Sequence, residues 1–222
     1  MTVQWNKDET RNRVLTENTA QAVSKYLTDQ ESNRARWQNR WIWELLQNAR
    51  DASKTSNNRL IVKIQYNPEE LVFLHNGGGF TPEQITHLIY HGSTKIEDEE
   101  TIGKYGSGFL TTHLLSPEVV ISGQLHDGQW FDFPLVRRPD SVPALRESMD
   151  EAWENFSPST IPQAPMLEGF TTRFVYPIKD DNAANAVKSG ITTLKQCAPY
   201  VVVFNQEFSS ITIEDHHETI CF

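Results

Sequence analysis

Apolar side chains recur at helical spacing near the start of the chain and at strand spacing further along it. Ala22, Val23, Tyr26 and Leu27 predict a short helix over residues 18–27. Trp37, Trp41, Leu45, Ala49 and Ala52 predict a longer one from about 33 to 52. A turn at Asn57-Asn58 leads into two strands, residues 60–66 and 71–75, joined at Asn67-Pro68. Thr81-Pro82-Glu83 reads as a helix start, a cap residue followed by proline at the first helical position, and that helix ends near His91-Gly92. A short buried helix is expected over 109–115, then strands over 119–124 and 130–135 joined at Asp127-Gly128. Residues 136–168 hold Pro139, Pro143, Pro158, Pro162 and Pro165 and read as the least regular stretch. A strand over 171–176, a helix over 182–197 and closing strands over 200–204 and 210–213 complete the pattern. The sum is an α+β two-layer sandwich, with helices on one face of a mixed, mostly antiparallel sheet. No linker divides it, so residues 1–222 are expected to form a single domain.

Composition narrows the class. A formal charge of −9 and a pI near 5.3 disfavour direct binding to nucleic acid. Cys197 and Cys221 cannot build a disulfide framework, which fits a reducing compartment. The first thirteen residues are polar, and no apolar run approaches the ~20 residues that span a bilayer. A cytoplasmic protein with no membrane partner is the expectation.

Candidate chemistry sits in the glycines and in one helix. Six of the eleven glycines fall in two runs, His75-Asn76-Gly77-Gly78-Gly79-Phe80 and Ile102-Gly103-Lys104-Tyr105-Gly106-Ser107-Gly108-Phe109. Glycine is placed where φ is positive or where a backbone closely approaches something else. A glycine loop that opens a helix offers free N–H groups to an anion. Lys95 and Lys104 lie within reach of such a loop along the chain, although lysines are more often simply solvated. The second run is neither a P-loop nor a dinucleotide-binding turn, since the Lys-Ser/Thr ending and the preceding strand are both missing. On the longer helix, Glu44, Asn48 and Asp51 stand at i, i+4 and i+7 and form one stripe. A carboxylate can take a proton from water, and an amide oxygen suits magnesium. Each signal alone is weak: a polar stripe is ordinary on a surface helix, and a glycine-rich turn is ordinary after a strand.

The order of the motifs carries more. Glu44-Leu45-Leu46-Gln47-Asn48-Ala49-Arg50-Asp51-Ala52 resembles the N-box of the GHKL superfamily of ATPases, which includes gyrase, the ninety-kilodalton heat-shock chaperone, histidine kinases and MutL. The glycine run at 75–80 resembles the superfamily's Asp-x-Gly-x-Gly motif, whose aspartate accepts a hydrogen bond from the 6-amino group of adenine. Gly77 and Gly79 match, and His75 stands in place of the aspartate. A neutral imidazole can still accept one hydrogen bond, and Asn76 offers another acceptor. The His-Asn-Gly form closed by Phe80, with the Gly103, Gly106, Gly108 and Phe109 motif, looks most like the chaperone and sacsin-like branch. In the late strand, Thr172 is the better match to the superfamily's adenine-binding threonine, with Thr171 second.

The resemblance implies a Bergerat ATP-binding fold with ATP and Mg2+ as cofactors. It implies Glu44 as the base that activates water, Asn48 as the magnesium ligand, and a lid over about 91–107. Asp51, His75, Asn76, Gly77, Gly79, Phe80, Lys95, Gly103, Lys104, Tyr105, Gly106, Ser107, Gly108, Phe109 and Thr172 would line the nucleotide site. Related ATPases often take a further lysine or arginine from a downstream domain. The chain is therefore expected to be the N-terminal part of a longer protein, weak in hydrolysis by itself and open to homodimerisation. A nucleotide-gated switch that scarcely hydrolyses is the alternative. A histidine kinase is less well supported, because His91, His113, His126, His216 and His217 lack a preceding two-helix dimerisation segment.

Overall fold

A computed structural model describes residues 6–54, 58–90, 108–137, 140–160, 169–215 and 217–222. The expected lid over 91–107 therefore lies outside the described residues. So do the sites named at Lys95, Gly103, Lys104, Tyr105, Gly106 and Ser107, and the histidines 91 and 216.

Seven strands form a single sheet in the order β4-β3-β5-β2-β1-β6-β7. They are β1 (Leu60–Tyr66), β2 (Glu70–His75), β3 (Glu118–Gln124), β4 (Trp130–Val136), β5 (Thr172–Pro177), β6 (Phe208–Glu214) and β7 (Thr219–Cys221). Among the described strands the β1–β6 pair is parallel and the other pairs are antiparallel. Helices α1 (Lys7–Ser32), α2 (Arg34–Trp37), α3 (Arg40–Ser53), α4 (Pro82–Tyr90), α5 (Val142–Asn155) and α6 (Asp181–Phe204) accompany it, with a 3-10 helix at Phe109–Leu114. The fold is the expected α+β sandwich. Its main core joins helix residues such as Leu27, Trp41, Leu45 and Leu194 to Phe73, Ile121 and Phe174 of the sheet. A small second cluster of Val72, Leu74 and Val175 covers the opposite sheet face, as the period-two alternation of a strand requires.

Several boundaries moved, each for a local reason. The helix expected over 33–52 is two: α2 ends at Trp37 and α3 starts afresh at Arg40, with Asn39 between them at φ −100° and ψ −1°. The proline-rich stretch contains α5: Pro143 occupies its first turn and the Ser141 hydroxyl accepts from Ala144 N–H at 3.2 Å. Leu145, Met149 and Ala152 then bury one face of α5. The strand expected over 200–204 is the last turn of α6, which runs on through Pro199. There the β-branched run gains no strand partner, while Val201 and Val202 pack on the core at helical spacing after Ala198. The helix expected at 109–115 is a 3-10 turn rather than an α-helix. Among the described residues no helix is long and apolar enough to cross a membrane.

Candidate functional site

Helix α3 brings its polar stripe to the sheet by burying the opposite face. Trp41, Ile42, Leu45, Leu46 and Ala49 are buried, and Trp41 Nε1 donates to Ala186 O of α6 at 3.1 Å. Glu44, Asn48 and Asp51 are left on the edge of that packing. Asn48 is 5% exposed, and its Nδ2 has no hydrogen-bond partner. A buried amide without a partner costs free energy unless something else satisfies it.

Glu44 has one oxygen on each of two neighbours. Arg40 Nε donates to Oε1 at 3.2 Å, one helical turn away. Oε2 lies against Gly108, where any Cβ would overlap the carboxylate. Helix α3 and the last glycine of the second run, far apart in sequence, therefore meet directly. Asp51 is paired instead with Lys54 Nζ at 2.8 Å, so the structure gives its carboxylate to a local ion pair.

The first glycine run leaves the end of β2 and crosses the end of α3. A Cβ on Gly77 would sit 2.9 Å from His75 Nδ1, 3.0 Å from Ala52 Cβ and 3.3 Å from Ala49 O. Gly78 N–H donates to Ala52 O at 2.9 Å. A Cβ on Gly79 would meet the Gln124 and Leu125 backbone at 2.7–3.0 Å. Close approach, and not positive φ, is what selects glycine at 77 and 79; among the described glycines only Gly128 and Gly169 have positive φ. Phe80 is buried and packs edge-on against Phe131. It closes the motif as a core residue.

His75 is the most altered group in this region. Its ring is 1% exposed, and burial pulls its pKa down to about 3, so the imidazole is neutral. Nδ1 accepts from Gly77 N–H at 3.1 Å, which puts the proton on Nε2. Nε2 itself is buried without a partner. Thr172, directly opposite across β2 and β5, is fully buried, and its Oγ1 is also unpartnered. Thr171 has a different duty: its hydroxyl donates to Gly77 O at 2.6 Å and its N–H to His75 O at 3.0 Å, tying the glycine run down. The Asn76 side chain is spent on β1, accepting from Ile61 N–H and donating to Arg59 O.

Behind the 3-10 helix lies a group that sequence reasoning did not single out. Arg137 is buried, stacks on Phe109 with its guanidinium carbon 4.8 Å from the ring centre, and donates to Thr112 Oγ1 at 3.1 Å. Burial lowers its pKa to about 10. It clamps the helix that begins just after Gly108, and only its place at the end of a strand hinted at an inward side chain. Arg40, the other residue missed, was legible as the i, i+4 partner of Glu44. His113 is buried too, its pKa lowered to about 3 by burial and by Arg137 and Arg34. A solvent-facing phosphoacceptor would not be placed so.

The donor set fits a magnesium–nucleotide complex. Magnesium takes one or two protein oxygens and completes its shell with phosphates and water. The Asn48 side chain is nearly buried with its Nδ2 unpartnered, so its amide oxygen would hold the metal while Nδ2 is left to donate to a ligand oxygen, and the Glu44 carboxylate stands one turn before it on the same stripe. A cavity of about 580 Å3 lies elsewhere, lined by Tyr66, Pro68, Ile178 and Lys188, at the end of the β1–β2 hairpin remote from His75. It holds none of these residues.

In this α+β sandwich the end of α3 meets Gly77 and Gly78, and its Glu44 carboxylate meets Gly108, which together define a candidate ligand site. Among known proteins, Protein MICRORCHIDIA 1 of Arabidopsis thaliana is 39% identical over 77 residues, covering 32% of this chain and 12% of that protein. Protein MICRORCHIDIA 6 of the same plant is 31% identical over 85 residues, covering 36% of this chain and 13% of its own length. The likeness thus spans a small part of these longer relatives. No family model matches the chain.

Proposed function

We propose that this chain is a GHKL-type nucleotide module that binds a purine nucleoside triphosphate with Mg2+ and hydrolyses it slowly. ATP is the nucleotide that the resemblance implies. The observation that carries the reading is the meeting of Glu44 with Gly108, since it joins the two motifs that hydrolysis needs on one spot. The partial likeness to Microrchidia proteins, which are GHKL superfamily members, supports the same class.

In this reading Asn48 holds the metal, which when bound offsets the charge on the phosphates. Glu44 accepts the proton of the attacking water, with Arg40 holding its second oxygen and fixing the carboxylate's direction. Arg137 keeps the 3-10 helix, and with it Gly108, in place against that carboxylate. The output is a conformational change passed to the rest of a longer protein, which would supply a further lysine or arginine.

Glu44→Ala tests the assignment. Positioned general bases contribute about 10²–10⁴-fold, so steady-state ATP hydrolysis should fall to background while Mg-ATP affinity stays within about threefold. The engagement of Glu44 Oε1 by Arg40 favours one second reading, a nucleotide-gated switch without turnover. Equal hydrolysis by wild type and Glu44→Ala would establish that reading and end the first.

A further inference from the structure

Two unpartnered polar atoms sit side by side on the helix-facing side of the sheet. His75 and Thr172 are direct cross-strand partners, so their side chains share one face, as do Phe73 and Phe174 two residues further on. Both residues are almost fully buried, and neither His75 Nε2 nor Thr172 Oγ1 has a hydrogen-bond partner. The polarity of the pair is settled by geometry. Gly77 N–H occupies His75 Nδ1, so the proton sits on the buried Nε2 and the ring has no acceptor left. The hydroxyl of Thr172 can donate or accept.

A carboxylate at position 75 would accept a hydrogen bond from an exocyclic amine. Here the group at that position is a donor, and a donor facing an amine leaves both buried and unpaired. A 6-oxo purine presents the opposite pattern: a carbonyl oxygen at the 6-position and an N–H at N1. The first matches His75 Nε2–H and the second matches Thr172 Oγ1. Adenine presents an amine and a bare N1 on the same edge, which suits Thr172 but not His75.

We propose that His75, set as a donor by Gly77, makes this site prefer triphosphates of 6-oxo purines, hypoxanthine or guanine, over ATP. The inference rests on the nucleotide reading above and on the resemblance of residues 75–79 to the superfamily's base-binding motif, which implies that the purine 6-position meets residue 75. Leaving a buried donor unsatisfied costs enough to change affinity about tenfold or more. Rejection of this size follows from hydrogen-bond mismatch without any steric change in the pocket.

The test uses inosine triphosphate and ATP, which differ only at the 6-position and the adjoining N1. Calorimetric titration with Mg2+ should give a Kd for inosine triphosphate at least about tenfold below that for ATP. His75→Asp should reverse the order, because aspartate can still accept from Gly77 N–H and then offers an acceptor to the amine. A wild type that binds ATP as tightly as inosine triphosphate, or more tightly, overturns the inference and leaves the nucleotide reading standing. Binding of neither overturns the nucleotide reading itself. Where His75→Asp does not fold, ¹⁵N long-range correlation spectra of the wild type at pH 7 decide the first premise. The Nε2–H tautomer is expected at His75, and the Nδ1–H tautomer would refute it.

Discussion

At position 108 the backbone lies at φ −62° and ψ −45°, open to any residue, yet a Cβ there would overlap the Glu44 carboxylate. The obstacle is the far end of a flexible side chain, so Gly108→Ala should displace the carboxylate without unfolding the protein. Stability should stay within about 1 kcal/mol, while displacement of a catalytic group by an ångström costs roughly a hundredfold in rate. Hydrolysis that survives Gly108→Ala unchanged would separate Glu44 from the chemistry. The buried histidines give a second expectation at this scale. His75 and His113 both titrate near 3 in the native state because burial resists their charge, against about 6.5 in the unfolded chain. Below pH 6.5 the unfolded state therefore binds more protons, and stability falls as pH drops from about 6.5 towards 3. Each histidine contributes up to about 1.4 kcal/mol per pH unit in that window, which urea denaturation at pH 7 and pH 5 would read. A flat profile would mean that the rings are not buried neutral. Motif order pointed to the residues, but the partners each one has in the fold were not legible. Asp51 and Asn76 carry the right chemistry and are spent on Lys54 and on β1, partners that spacing along the chain cannot reveal.

Helix α3 is held in register by a contact between elements that are distant in sequence. Gly190 of α6 lies over the Trp41 ring, and a Cβ there would sit 2.5 Å from three of its atoms. Trp41 is fully buried and bonded to Ala186 O, so the ring cannot yield. Alanine at 190 gains about 1 kcal/mol of helix propensity, but overpacking costs typically 1–3 kcal/mol. Gly190→Ala should therefore lower the urea midpoint, and an unchanged or higher midpoint would contradict the packing. At this scale β1 and the start of α4 were legible almost to the residue, the latter because Thr81 and Gln84 form a reciprocal cap. α5 was hidden because the prolines around it read as breakers, whereas the one it contains, Pro143, falls in its first turn, where a missing N–H costs nothing. The end of α6 was misread because β-branched residues suggest a strand until tertiary packing decides.

Over the whole molecule, the sheet order places β2 and β5 side by side near its middle, with α3 running to the end of β2 where the glycine run begins. That arrangement brings Glu44, Asn48, His75, Gly108 and Thr172 onto one face, although 128 residues separate the first from the last. The α+β class was legible because strand and helix periods differ. The parallel pairing of β1 with β6 was not, since nothing local distinguishes it from another antiparallel neighbour. The proposed function requires this face to bind a magnesium–nucleoside triphosphate through Asn48. Calorimetric titration with ATP and with inosine triphosphate, with and without Mg2+, on wild type and Asn48→Ala tests it most directly. Saturable binding by the wild type that weakens at least tenfold on removing Mg2+, and that loses its Mg2+ dependence in Asn48→Ala, is the predicted result. No binding of either nucleotide by the wild type, or the same Mg2+ dependence in both proteins, would contradict it.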